Sequence, residues 1–177
     1  DIKSTSPIEG ATVLQGNIIH KETIERIEEL LDGGQFNIVL SDISPKLTGR
    51  YDTDQAISLE LSTMTLDVAM DLLAPGGAFV TKIFQGVGIE GLIKAAKDRF
   101  SNVQRFAPMA SRNSSSETYL ICRNRLPVPR RPARGITAFE QVLSHLTEVG
   151  INVDETSTED EEIEIIKGFR RLNRNDE

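Results

Sequence analysis

From residue 11 to residue 124, short apolar runs alternate with longer stretches of helical spacing. ATVLQGN (11–17) is the first short run, and it reads as strand-like. In HKETIERIEELLDGG (20–34), Ile24, Ile27, Leu30 and Leu31 recur at helical spacing, and the Gly-Gly pair is a natural stop. FNIVLSD (36–42) predicts a strand that ends abruptly on a carboxylate. After the loop SPKLTGRY, a long helix is expected from about Asp54 to Leu73, with Ile57, Leu61, Met64, Leu66, Val68, Met70 and Leu72 as its apolar positions. APGG (74–77) breaks it, because Pro cannot continue a helix and Gly accepts positive φ. AFVTKIF (78–84) is rich in β-branched and aromatic residues and predicts a strand. GIEGLIKAAKDRF (88–100) reads as an amphipathic helix, and NVQRFAP (102–108) and ETYLICR (117–123) as two further strands. Such alternation predicts an α/β fold with a mostly parallel sheet and helices on both faces. In sheets of that kind ligands collect at the carboxyl ends of the strands.

After Leu126 the pattern changes. A domain is expected over residues 1–125, a Pro/Arg-rich linker over 126–136 and a helical, acidic extension over 137–177. TAFEQVLSHLTEVG (137–150) opens with Thr137 and has Glu140 three residues on, which is a capping-box pattern. A second helix is expected at about 159–172, acidic at its start and basic at its end, as the helix dipole favours.

Composition narrows the class. The 177 residues are 38% hydrophobic and 27% charged, ordinary globular usage that speaks against wholesale disorder. Aromatics are 5% and Trp is absent, which leaves little material for base-stacking platforms. A lone cysteine, Cys122, fits a reducing compartment, and no apolar run approaches a membrane span. The net charge of −7 opposes a broad grip on nucleic acid. Yet RNRLPVPRRPAR (123–134) carries five arginines and no acid, while acids crowd into DETSTEDEEIE (154–164). The opening DIKSTSP, without methionine, suggests a fragment or a trimmed product.

Three residues stand out chemically. Asp42 at a strand exit has a bland alternative as a helix cap or Asx-turn residue. Lys82 interrupts an apolar strand between Val80 and Ile83, where an ammonium needs a carboxylate or a substrate oxygen. Glu117, taken alone, is a solvated strand-end residue; its interest is that its strand end can line the same cleft. An Asp, a Lys and a Glu converging there make a set for handling a proton. His20 and His145 lie apart and suggest no metal or triad arrangement, and Cys122 reads as a small core residue. Ser114, Ser115 and Ser116 have no evident histidine partner. Gly86 and Gly88 read as turn residues rather than as a phosphate loop.

LSDISPKLTG, LLAPGGAFVTKIFQG and ASRNSSSETYLIC, in that order and spacing, resemble the FtsJ-like (RlmE-type) ribosomal RNA 2′-O-ribose methyltransferases. The resemblance covers roughly residues 1–124. It implies a Rossmann-like enzyme using S-adenosylmethionine, with a Lys-Asp-Lys-Glu tetrad whose last three members match Asp42, Lys82 and Glu117. The first lysine and the Gly-rich cofactor loop would lie upstream of Asp1. Asp1 matches an acid near the cofactor's ribose and adenine, and Asn17 stands in LQGN where many members have LQGD, so altered cofactor contact is expected there. Asp42 is also expected near the methyl donor. Lys46, Arg50 and Arg112 flank the motif loops and are candidate RNA contacts, with solvated loop charge as the alternative for each.

The resemblance thus implies methylation of RNA, with a uridine of large-subunit ribosomal RNA as the expected target. A cytoplasmic, monomeric protein with no membrane and no metal requirement is expected. Two other readings remain open. One is a methyltransferase of the same fold acting on a small hydroxyl compound. The other is an inactive RNA-binding module, against which the retention of a lysine in a buried strand argues.

Overall fold

The structure, a computed structural model, describes residues 1–107, 117–153 and 172–174. Its elements run α1 (Lys21–Leu31), β1 (Phe36–Ser41), α2 (Tyr51–Leu72), β2 (Leu73–Phe84), α3 (Ile89–Lys97), β3 (Phe100–Phe106), β4 (Glu117–Arg125), α4 (Ala138–Glu148), β5 (Ile151–Val153) and β6 (Leu172–Arg174). The four long strands form one sheet in the order β1-β2-β4-β3. β1 is parallel to β2, whereas β4 is antiparallel to both β2 and β3. Three strands therefore run one way, and β4 is inserted between two of them in the opposite sense. β5 and β6 make a separate two-stranded pair.

The elements follow from local chemistry. α1 stops at Asp32, which is left-handed at φ 45, and Gly33 continues at φ 76, so the stop falls one residue ahead of the Gly-Gly pair. α2 begins three residues earlier than expected and runs directly into β2. APGG then interrupts the β1–β2 ladder rather than preceding it: between the pairs Phe36↔Leu73 and Ile38↔Ala78, β2 advances five residues where β1 advances two. Gly77 is required there, because a Cβ would stand 2.8 Å from the Ala74 carbonyl oxygen and 3.0 Å from that of Asn37.

ATVLQGN is not a strand. A strand needs a ladder of a partner's backbone groups, and this segment has only scattered bonds: the Asp1 amine donates to the Leu14 carbonyl at 3.0 Å, the Gly16 amide to that of Asp1 at 2.9 Å, and Arg26 to that of Gln15 at 3.0 Å. The helix expected near 159–172 falls outside the described residues, apart from Leu172 in β6.

Phe79, Thr81 and Ile83 of β2 share a face with Thr118, Leu120 and Cys122 of β4, and all six are buried. α2, α3 and α4 cover this face with Leu59, Leu66, Leu92, Ala96, Val142 and Leu146. α4 is thus packed into the same core as the sheet, although it follows the Pro/Arg segment. On the opposite face Ile38, Leu40 and Phe106 are 58%, 73% and 52% exposed.

A half-buried carboxylate and a buried guanidinium fix α4. Asp67 of α2 accepts the amides of Ala138 at 2.6 Å and Phe139 at 3.0 Å, while Thr137 and Glu140 complete the expected capping box. The first-turn amides of α4 are thereby satisfied by one carboxylate from another helix and by one hydroxyl of its own. Desolvation raises the Asp67 pKa, and the two amides together with Arg99 oppose that rise. Arg99, just after α3, is 2% exposed and donates to the carbonyls of Ala95 (2.9 Å) and Ile136 (2.8 Å) and to Gln141 Oε1 (2.7 Å). Its own carbonyl accepts from the Leu126 amide at 2.9 Å. Charge-assisted hydrogen bonds of this kind are the strong ones.

Removing the guanidinium strands two buried acceptors, the Ala95 carbonyl and Gln141 Oε1, and the partly buried Ile136 carbonyl, so Arg99→Ala should cost roughly 3–5 kcal/mol in urea denaturation. A loss below about 1 kcal/mol would show that α4 does not depend on it. Burial pushes the Cys122 thiol up to about 12. Cys122 should therefore react with a thiol reagent at pH 8 only in denaturant, and rapid labelling of the native protein would contradict its buried placement.

Candidate active site

β1 ends at Ser41, which pairs with Thr81, so the next residue of each strand stands side by side. Those residues are Asp42 and Lys82. Lys82 Nζ lies 2.8 Å from Asp42 Oδ1, with the lysine side chain 13% exposed and the aspartate 79%. The two oddities of the sequence are one ion pair. With one partner so exposed, the pair adds at most about 1 kcal/mol to stability, so its effect is to fix the position of Nζ.

Beyond the end of β1, β2 has lost its neighbour on that side, and α2 takes over. Ser62 Oγ donates to the Lys82 carbonyl at 3.1 Å, and Ser58 Oγ accepts the Phe84 amide at 3.1 Å. Two serines one helical turn apart thus clamp the backbone on which Lys82 sits. The sequence reading missed both. The available signal was a pair of small hydroxyl residues at i, i+4, on the same side of the helix.

Glu117 is the first residue of β4 and pairs with Phe84, while Lys82 pairs with Tyr119. Directly paired residues share a sheet face, so Lys82, Phe84, Glu117 and Tyr119 stand on one face at the carboxyl end of β2. The register offset of two residues places Glu117 about 7 Å along the strand from the level of Lys82. Asp42, Lys82 and Glu117 are therefore brought to one end of the sheet.

Two loops border this end. Lys46 and Arg50 are exposed in the loop between β1 and α2, and Asp54 in the first turn of α2 ties that loop down. Its carboxylate accepts from the Thr48 amide (2.8 Å), the Thr48 hydroxyl (2.7 Å) and the Gly49 amide (3.2 Å). These bonds, led by the Thr48 amide, hold its pKa below the ordinary value against the opposing effect of burial. The loop after β2 is tied by Tyr51, whose hydroxyl donates to the Gln85 carbonyl, and by Gln55 Nε2, which donates to the Val87 carbonyl at 2.7 Å. Gly88, at φ 86, leaves no room for a Cβ between Leu59 and Leu146, which supports its reading as a turn residue. Arg112 and the three serines Ser114, Ser115 and Ser116 lie outside the described residues.

Asp1 and Asn17 form a second group, joined by the bond from the Gly16 amide to the Asp1 carbonyl. Asp1 Oδ1 accepts the Lys3 amide at 2.8 Å, and Asn17 Oδ1 accepts the Ile19 amide at 3.3 Å. Asn17 Nδ2 also lies 3.4 Å from His20 Nε2; a carboxylate suits a pair of ribose hydroxyls, and a primary amide the edge of a purine. Among the described residues no cluster of three or more His, Cys, Asp or Glu could hold a metal ion.

The profile of the FtsJ-like methyltransferases matches residues 1–125. The chain belongs to that family. Within the FtsJ-like family it is similar to the ribosomal RNA large subunit methyltransferase E of Methanothrix thermoacetophila, 41% identical over 131 residues, which is 74% of this chain and 51% of that protein. The protein of the same name from Granulibacter bethesdensis is 38% identical over 127 residues, 72% of this chain and 55% of that one. The chain thus spans about half the length of these curated relatives. Its fold is similar to that of a crystal structure described as a ribosomal RNA methyltransferase from Plasmodium falciparum. The TM-score is 0.64 at 24% identity, covering 71% of this chain and 69% of that one. The sheet described above fits a Rossmann-like methyltransferase fold, and α4 lies past the residues the family profile matches.

Because the Asp54 pKa is lowered in the fold, its clamp is fully present above the unfolded value of about 3.9 and is lost as pH falls through the folded value. Protection of the Thr48 and Gly49 amides against hydrogen exchange should therefore hold at neutral pH and fall away in acid. Asp54→Ala should remove it at every pH, and amides equally protected in that variant would rule out the clamp.

Proposed function

We propose that this chain carries the lysine-bearing half of the catalytic centre of an S-adenosylmethionine-dependent RNA 2′-O-ribose methyltransferase. The observation that supports this reading best is the 2.8 Å contact of Lys82 with Asp42, at a strand end that also receives Glu117. S-adenosylmethionine supplies an electrophilic methyl group on a positively charged sulfur. Asp42, mostly exposed beside Lys82, offers a carboxylate to that charge, and Asp1 with Asn17 suits the adenosine end. A ribose 2′-hydroxyl is a poor nucleophile until its oxygen is oriented and its proton removed. Lys82 Nζ, fixed by Asp42 and by the serine clamp on its backbone, orients the hydroxyl and, as the neutral amine, accepts its proton while the methyl passes from sulfur to the 2′-oxygen. Glu117 supports hydrogen bonds at the rim of the same site.

The substrate in this reading is ribosomal RNA, with a uridine of the large subunit as the target, and Lys46, Arg50 and Arg112 meet its phosphates. A cytoplasmic monomer is the form proposed. Among the described residues no helix is long and apolar enough to cross a membrane.

Lys82→Ala, measured in the whole protein, should lower methyl transfer to ribosomal RNA by about 10²–10⁴-fold while cofactor affinity stays within about threefold. Near-normal turnover in that variant would remove Lys82 from the chemistry. Equal loss of cofactor binding and turnover would instead give it a binding role.

A further inference from the structure

The arginine-rich segment at 123–134 is neither free chain nor part of the site above. β4 starts at Glu117 beside the catalytic end and runs away from it to Arg125, which pairs with Phe100 at the start of β3. From Tyr119, the partner of Lys82, to Arg125 is six residues, or about 20 Å along the strand. The segment that follows lies beyond that edge and is tied down at both ends by Arg99. The Arg99 carbonyl accepts the Leu126 amide, and its guanidinium donates to the Ile136 carbonyl. Between those anchors the Arg130 amide donates to the Asp98 carbonyl at 2.7 Å, and Ala133 is buried.

What this pinned loop presents is positive charge. Arg130, Arg131 and Arg134 are exposed, and Lys94 and Lys97 stand exposed on the last turns of α3, to whose Lys97 carbonyl Arg130 donates at 2.7 Å. The neighbouring acids are already engaged. Asp98 accepts from Gln141 Nε2 at 2.7 Å, and Glu140 is held in the capping box of α4. Residues 123–136 contain no aromatic side chain, so the surface lacks the aromatic platforms on which single-stranded sites stack successive bases. It suits the phosphate rails of a helix, which are recognised by shape and charge.

We propose that this loop and the last turns of α3 form a second RNA-binding surface, which takes the backbone of a double-helical segment about 20 Å or more from the methylated nucleotide. The proposal rests on the RNA reading above and deepens it. A mononucleotide cannot reach both places, whereas a folded RNA can. Because the loop is ordered before it binds, little conformational entropy is lost in forming the contacts. It also reconciles the −7 net charge with an RNA substrate, since Lys94, Lys97, Arg130, Arg131 and Arg134 gather on one edge.

The test is a salt titration of binding to two probes, an RNA hairpin of about two helical turns with a uridine loop, and a short single-stranded oligouridine. The triple variant Arg130→Ala, Arg131→Ala, Arg134→Ala should bind the hairpin about tenfold or more weakly at low salt. Its slope of log affinity against log salt should fall by about 2–3, or ~0.7–0.9 per lost phosphate contact. Oligouridine binding should not change. Arg130 and Arg134 also bond backbone carbonyls, so Arg131→Glu, which leaves those bonds intact, serves as the second variant and should lower the slope by about 1 or more with an unchanged melting temperature. Hairpin affinity and slope equal to wild type in both variants would overturn this proposal alone. A wild-type protein that binds neither probe would overturn it together with the RNA reading.

Discussion

The buried guanidinium of Arg99 is the constraint on which the far end of this fold depends. It sits at the junction of α3 and β3, where helix carbonyls, the returning chain after β4 and the start of α4 meet. Each would otherwise leave a polar group unpartnered in a region sealed from water. Burial lowers the Arg99 pKa, and the carboxylates of Asp67 and Asp98 act against that cost. Asp67 in turn holds the first turn of α4. One network of Asp67, Asp98, Arg99 and Gln141 therefore joins α2, α3 and α4, and the apolar contacts of Val142 and Leu146 close over it.

At the catalytic end the same logic operates with smaller groups. The parallel ladder between β1 and β2 stops one residue before Lys82, so the lysine is free of β1 yet still on the sheet. Ser58 and Ser62 replace the missing strand edge, and Asp42 fills the space beside Nζ. A strand that ended two residues later would have paired Lys82 into a ladder facing Asp42 backbone to backbone. The site exists because one strand is shorter than its neighbour.

Much of this was legible in the residues. β1, β2 and β4 announced themselves by β-branched and aromatic runs, the capping box of α4 by Thr137 and Glu140, and the site by a charge inside an apolar strand. The first misreading, ATVLQGN, has the composition of a strand but no neighbour among the described residues with which to pair. The subtler failures share a cause. Ser58, Ser62, Thr63 and Thr65 look like surface positions of α2, yet all are buried. Thr63 and Thr65 satisfy their hydroxyls on carbonyls one turn back, at 2.7 Å each, and then pack as apolar residues. Arg99 and Asp67 are hidden for the same reason: a polar residue is read as solvated unless its partner is known, and apart from the Ala95 carbonyl their partners lie 37 to 72 positions away.

The insertion of β4 between β2 and β3 has a consequence for the chain as it is being made. β3 is synthesised first but has no neighbour until β4 arrives, since β4 alone separates it from the rest of the sheet. From Phe106 to Arg125 is 19 residues, or about 1–4 s of translation. For that interval a nascent strand with Phe100, Val103 and Phe106 waits with both edges unpaired at the mouth of the ribosome. The order of synthesis thus opposes the order of pairing, and the same strand is open to a chaperone, or to another nascent copy, before the sheet closes.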